Sequence, residues 1–395
     1  MALGTQNEKG KNIPMNYFSA LIKPASSLCN MRCKYCFYAD VADSREVPSY
    51  GIMDENTMKC LIDRVLGEVK PPAQVIFAFQ GGEPTLAGLD FYEKLLELEK
   101  RYNRRHIPVQ YAIQTNGCSL DRDWAAFFAR NRFLVGLSLD GTREVHDAYR
   151  RDAAGEGSFQ RVQRAAQLLQ QAGVDFNVLT VVTNQTVRSI GKIYGYFKRS
   201  GLRYQQYIPC LDPLGEERGQ TEYALTPEAY GEFLCRLFDL WYADLSHGDY
   251  VYIRYFENLA AMLLGRPPES CGMSGQCACG FTVEADGSVY PCDFYVLDPY
   301  LLGHIGEQSF AGMAAGEAAR AFVEPSRLVD EKCRSCRWGA LCRGGCRRDR
   351  EPAVDGVLQR NYFCPAFERF FGYAASRLRQ AAVWLSTGLP RSGRS

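Results

Sequence analysis

Nowhere do the 395 residues run apolar for the roughly 18 positions that a membrane-spanning helix needs. Positions 1–14 are polar and hold no apolar signal core, so a cleaved leader is not expected and the expected address is the cytoplasm. Charge of one sign is also missing. Lys and Arg total 46 against 45 Asp and Glu, a net charge of +1. A nucleic-acid binder would carry a basic surplus, so neither a nucleic-acid nor a membrane partner is expected. There is no internal repeat at solenoid periods. Histidine is scarce, at four residues. What is present is a folded composition, 46% hydrophobic and 23% charged, with length for two or three domains. Cysteine is the outlier, at 16. In a reducing compartment so many thiols point to metal or cluster ligation rather than disulfides.

Strand-like runs at 17–23, 74–80, 109–114, 133–139, 174–182 and 203–209 alternate with helix-like stripes at 54–69, 91–102, 121–130, 159–172 and 187–200. Alternation of this kind predicts an α/β fold with a parallel sheet and helical crossovers, and six units suit a partial barrel. Helices are expected at 226–246, 252–264 and 365–385. Between Cys271 and Cys364 the chain is cysteine-rich and loop-rich, a composition that calls for staples. The expected division is a polar tail at 1–14, a barrel at 15–250, a cysteine-rich domain at 251–370, and a closing helix with a mobile tail at 371–395.

Cys29, Cys33 and Cys36 form CxxxCxxC directly after the first strand. Three thiolates on one loop can hold three irons of a 4Fe–4S cluster and leave the fourth iron open. A zinc site would want a fourth local ligand, and the nearest histidine is His106. Gly81, Gly82, Glu83 and Pro84 follow the second strand, where glycine permits close backbone approach. Ends of neighbouring parallel strands are where barrel active sites form.

CxxxCxxC followed by an aromatic resembles the radical S-adenosylmethionine (SAM) enzymes. That resemblance implies a partial (β/α)6 barrel. It also implies an open iron that binds the SAM amino and carboxylate groups, and one-electron cleavage to a 5′-deoxyadenosyl radical. It further implies that Glu83 accepts from the SAM ammonium, that Ser138 contacts the methionyl or ribose part, and that Arg150 pairs with the SAM carboxylate. Tyr35, Gly82 and Leu211 would line the cofactor.

Farther on, Cys277, Gly287 and Cys292, then Cys333, Cys336, Cys342, Cys346 and Cys364, resemble the SPASM extension of peptide-modifying radical SAM enzymes. With Cys271 there are eight thiols, the number for two fully ligated 4Fe–4S clusters and so three clusters in all. The family's crossed pattern implies one set of Cys271, Cys277, Cys292 and Cys346, and another of Cys333, Cys336, Cys342 and Cys364. Two structural zinc sites are the alternative. Cys60, Cys118, Cys210 and Cys235 read as small buried apolar residues; Cys279 lies close enough to Cys277 to substitute for it.

SSLCNMRCKYCFY after KPAS, QTNG, SLDG, and VYPCDFYVLDP with Asp293 directly after Cys292 resemble the anaerobic sulfatase-maturating enzymes, from about Ser19 to Phe370. The resemblance implies oxidation of a sulfatase Ser or Cys to Cα-formylglycine, by hydrogen-atom abstraction from Cβ followed by loss of one electron and one proton. Asp293 would take the proton; the plainer reading of Asp293 is a turn residue. Implied partners are an unfolded sulfatase polypeptide and a flavodoxin- or ferredoxin-type electron donor, with the enzyme a monomer. One rival is another SPASM peptide modifier that forms a thioether or carbon–carbon crosslink. Such enzymes often carry an N-terminal recognition domain, for which the 28 residues before Cys29 are too few. A zinc-stapled non-catalytic module is the more distant rival.

Overall fold

The computed structural model describes residues 15–390. The expected tail at 1–14 and the final stretch 391–395 lie outside the described residues. Strands β1 (Met15–Ile22), β2 (Val69–Phe79), β3 (Val109–Thr115), β4 (Leu134–Ser138), β5 (Phe176–Val182) and β6 (Tyr204–Pro209) lie side by side in chain order. All their pairings are parallel. Parallel neighbours cannot be joined by a hairpin, so helices cross between them: α1 (Phe37–Asp43) and α2 (Glu55–Glu68), α3 (Leu89–Tyr102), α4 (Arg122–Arg130), α5 (Arg143–Tyr149) and α6 (Phe159–Gln171), and α7 (Asn184–Arg199).

The stripes read from the sequence are the buried faces. In α2 the Asp54 carboxylate accepts from the Thr57 amide at 2.7 Å and caps the helix. Met58, Leu61, Ile62, Val65 and Leu66 are then buried at helical spacing. Strand β2 starts at Val69, not at Gln74. Its first residues include Pro71 and Pro72, which lack a ladder donor and break the strand signature, while Val69 reaches back to pair with Met15 across an irregularity in register.

Beyond β6 the long α8 (Pro227–Ser246) starts with Pro227 in its first turn behind the Thr226 cap. Tyr252 and Ile253, expected at the start of a helix, form instead a short strand β7 on the open edge of β6, and α9 (Arg254–Leu263) follows. An unpaired strand edge competes well for an aromatic and a β-branched residue.

The cysteine-rich third does not stand apart from the barrel. Strand β8 (Thr282–Val283) pairs in parallel with β1. β9 (Ser288–Tyr290) and β10 (Gly303–His304) continue antiparallel from it. The result is one ten-stranded sheet in the order β10-β9-β8-β1-β2-β3-β4-β5-β6-β7. The expected division at 250 thus falls just before β7, which still belongs to the sheet. The division at 370 falls inside one continuous helix, Cys364–Thr387. Pro365 suits its first turn, and Phe370, Phe371, Ala374 and Leu378 bury one face against α8 and α9.

Candidate functional site

The C-terminal ends of the parallel strands converge on the loop that carries Cys29, Cys33 and Cys36. That loop rests on the glycine pair after β2. Gly82 donates its amide to the Ser26 carbonyl at 2.9 Å, and Glu83 donates to that of Leu28 at 2.7 Å. A Cβ on Gly82 would stand 2.2 Å from the Leu28 oxygen and 2.6 Å from that of Ser27. The close approach expected toward a ligand is therefore also an approach to the cysteine loop's own backbone. Gly82→Ala is expected to displace that loop, at a cost of about 1–3 kcal/mol, and to lower the iron the protein retains. Thermal unfolding and iron analysis check this; an unshifted Tm with full iron would refute it.

All sixteen cysteines are free. Burial pushes the Cys29 thiol up to about 11 and that of Cys33 up to about 12, and Cys29 and Cys36 are among the charges that bear on Cys33. Half-buried thiols crowded in this way resist ionising alone. A cationic iron–sulfur group would bind them as thiolates and release their protons, so the donor set fits one. Asn116 turns its amide nitrogen toward the Cys29 sulfur at 3.9 Å.

Glu83 is fully buried. One oxygen accepts from the Thr85 amide, the Thr85 hydroxyl and the Thr115 hydroxyl; the other, among the described residues, accepts only from the Asn116 amide, at 2.7 Å. That second oxygen keeps a lone pair for an ammonium donor. Burial raises the Glu83 carboxyl above its ordinary value against these hydrogen bonds. Ser138 ends β4 and accepts from Gln114 at 3.1 Å. Arg150 faces a partner that the sequence reading did not assign. Its Nε donates to Asp140 at 2.8 Å with both side chains buried. The Tyr35 hydroxyl donates to the same carboxylate, and the guanidinium lies 5.4 Å from the Tyr35 ring centre. Asp140 is thus the hub that orients Tyr35 and Arg150 beside Cys33. Leu211 follows β6, half-buried.

Asp293 opens the turn after Cys292 and is fixed from the barrel side. The Lys23 ammonium at the end of β1 pairs with one carboxylate oxygen at 2.5 Å, and the Gln80 amide at the end of β2 donates to the other at 2.8 Å. Lys23 is completely buried, whereas the Asp293 side chain keeps 17% of its surface. Behind it the Lys23 nitrogen sits 3.5 Å over the Tyr38 ring. The Tyr38 hydroxyl donates to buried Glu284, which also pairs with Arg45 at 2.7 Å. Burial alone would raise the Glu284 carboxyl, but Lys23, Tyr38 and Arg45 together hold it below its ordinary value. Lys23, Tyr38, Gln80 and Asp140 were not assigned roles from the sequence. The available signal was position, since Lys23 and Gln80 end neighbouring strands at the rim where barrel sites form.

The later thiols gather in two groups. Cys277, Cys292 and Cys346 each feel Cys271, and Cys346 feels Cys292. Cys342 feels Cys333, Cys336 and Cys364. The second group lines a surface cavity of about 370 Å³. These are four-thiol sets of the kind that can hold a cluster. Cys279 is buried apart, pushed up to about 12 by burial with no thiol among its influences. Cys210 and Cys235 are buried as expected, but Cys60 and Cys118 are only half-buried. Cys118 sits at the barrel mouth with its sulfur 3.7 Å from that of Met31. No described helix is long and apolar enough to cross a membrane.

The Radical SAM superfamily matches residues 24–197, and an iron–sulfur cluster-binding domain, SPASM, matches residues 271–337. A cysteine-type anaerobic sulfatase-maturating enzyme of Clostridium novyi (strain NT) is 47% identical over 372 residues, covering 94% of this chain and 99% of the relative. A serine-type enzyme of Bacteroides thetaiotaomicron is 31% identical over 371 residues, covering 90% and 89%. A solved structure described as native anSMEcpe with bound AdoMet and Cp18Cys peptide superposes with a TM-score of 0.89 at 46% identity, covering 93% of this chain and 99% of the other. The SuiB protein of Streptococcus suis, bound to precursor peptide SuiA, shares the fold alone, with a TM-score of 0.62 at 15% identity. Matched nearly end to end, this radical SAM chain with its iron–sulfur cluster-binding extension belongs to the anaerobic sulfatase-maturating enzymes.

Proposed function

We propose that this enzyme oxidises a cysteine of an unfolded sulfatase polypeptide to Cα-formylglycine. The observation that carries the reading is the partly exposed, doubly anchored side chain of Asp293. It adjoins Cys292 and is held by Lys23 and Gln80 at the barrel mouth, in a chain nearly half identical to cysteine-type relatives. Cysteine is favoured over serine as the target because the serine-type relatives are the more distant ones.

Cys29, Cys33 and Cys36 would hold the SAM-binding cluster. The sets Cys271, Cys277, Cys292, Cys346 and Cys333, Cys336, Cys342, Cys364 would hold two auxiliary clusters. When bound, SAM and the clusters supply the one-electron chemistry: a radical for hydrogen abstraction and an acceptor for the electron left over. The chain's own residues do the rest. Glu83 would accept a hydrogen bond from the SAM ammonium on the oxygen that meets the Asn116 amide. Arg150, held by Asp140, would pair with the SAM carboxylate, and Tyr35, Gly82, Ser138 and Leu211 would line the cofactor. Asp293 receives the proton lost as the substrate carbon becomes a thioaldehyde, which water then hydrolyses. Lys23 and Gln80 hold that carboxylate in one orientation, so the acceptor is in position before the substrate radical can stray.

The substrate enters as an extended segment, because a Cβ in a folded core could not reach the strand ends. We assign the reducing electron to a small carrier of flavodoxin or ferredoxin type, the working form to a monomer and the compartment to the cytoplasm. Incubation with SAM, dithionite and sulfatase peptides that differ only in Cys or Ser at the target is expected to convert the Cys peptide faster. Mass spectrometry reads a larger mass loss there than for Ser, since sulfur also departs. Intact peptides alongside cleaved SAM would defeat the assignment.

A further inference from the structure

The segment 331–364 holds eight Lys and Arg against four Asp and Glu, a surplus of four positive charges in a chain whose total is +1. The remainder of the protein is therefore net negative by three. The segment forms most of the wall of the cavity lined by Cys333, Cys336, Cys342 and Cys364, to which Glu368 also contributes. Arg347, Arg348 and Arg350 are turned into the structure and satisfied there, but Arg334, Arg337 and Arg343 are exposed. Arg334 and Arg343 line the cavity itself, and Arg337 lies over the Trp338 ring at 4.7 Å. Among the described residues none of these three makes an ion pair, whereas the neighbouring Lys332 is taken by Glu368 at 2.8 Å. Beside them Leu328 and Val329 are 53% and 36% exposed.

Leu328, Val329 and the three exposed arginines give a small apolar centre with a cationic rim over a thiol cage, the anatomy of a transient charged interface.

We propose that this rim, marked by Arg334, Arg337 and Arg343, is the docking surface for a small acidic one-electron carrier protein. The inference deepens the proposed function and rests on its assignment of such a carrier. Docking would bring the carrier against the cage, where one electron passes without any bond forming or breaking. The carrier is oxidised by one electron as the group held by the four thiols is reduced by one, and the reverse holds when an electron leaves. Complementary charge sets the encounter rate, so the contact should weaken steeply with salt.

The test compares reconstituted wild type with two triple variants, Arg334→Gln/Arg337→Gln/Arg343→Gln and Arg334→Glu/Arg337→Glu/Arg343→Glu. The probe is an acidic flavodoxin. Binding of the oxidised flavodoxin to the holoenzyme is measured directly, and turnover is driven in parallel by reduced flavodoxin or by dithionite. Expected are full iron content, dithionite-driven turnover and peptide KM within about twofold of wild type, and a flavodoxin Kd and KM at least about tenfold higher, with the salt dependence flattened. Flavodoxin binding unchanged in the Gln variant, which keeps the fold's bulk if the Glu variant loses iron, overturns the proposal. A raised peptide KM with unchanged flavodoxin binding overturns it too, in favour of substrate docking. Failure of wild type to modify peptide with dithionite would sink the functional reading and leave the binding comparison to decide the rim.

Discussion

Asp293→Asn is expected to cut formylglycine yield by about 100-fold or more, the range for a positioned proton acceptor starting at that figure, while 5′-deoxyadenosine continues to form. The amide fills the same space and can still meet Gln80, so the change removes the basic oxygen and the charge facing Lys23 rather than the turn. The decisive readout is therefore a ratio. Wild type should release about one deoxyadenosine per product, and the variant should release many, as abstraction proceeds and is then undone or diverted. Parallel loss of SAM cleavage would assign Asp293 to cofactor binding or folding instead. Full product at the wild-type ratio would remove it from the reaction.

The second large effect lies at the first cysteine loop. Replacing Cys29, Cys33 and Cys36 together by Ala is expected to abolish SAM cleavage to the limit of detection. Iron in anaerobically reconstituted protein should fall from about twelve to about eight per chain, the difference of one 4Fe–4S cluster. The loop's backbone contacts to Gly82 and Glu83 do not use the thiols, so the fold should survive with its two other sets loaded. Iron that stays near four in the wild type, or that vanishes wholly in the variant, would contradict the division into three separate donor sets.

Periodicity made the barrel legible because its strands and helices bury continuous apolar faces. Met58, Leu61, Ile62 and Val65 announce α2 without any tertiary information. It failed where local composition opposed a pairing supplied from elsewhere, as at Pro71 and Pro72 in β2 and at Tyr252 and Ile253. The thiols were legible as a count and a spacing; their grouping came from resemblance, since spacing alone cannot say which loops meet. The partners of Asp293 were illegible for the same reason. Lys23 and Gln80 are 270 and 213 residues away from it; their place at strand ends marks them for the rim but not for Asp293. Arg150 shows the converse. The motif suggested a cofactor contact, but only folding reveals that Asp140 and Tyr35 hold it first.

The insertion of β1 between β2 and β8 has a consequence for biosynthesis. The earliest strand to leave the ribosome acquires one of its two neighbours only after Thr282 and Val283 have been translated, and Lys23 must wait still longer for Asp293. Contacts so remote in sequence are slow to form and are closed late. Vectorial synthesis would thus leave the amino-terminal edge unfinished until the last third of the polypeptide has emerged. Iron delivery is then best timed to the released chain, and a message truncated before β8 should yield a product that captures metal poorly and aggregates through its bare edge.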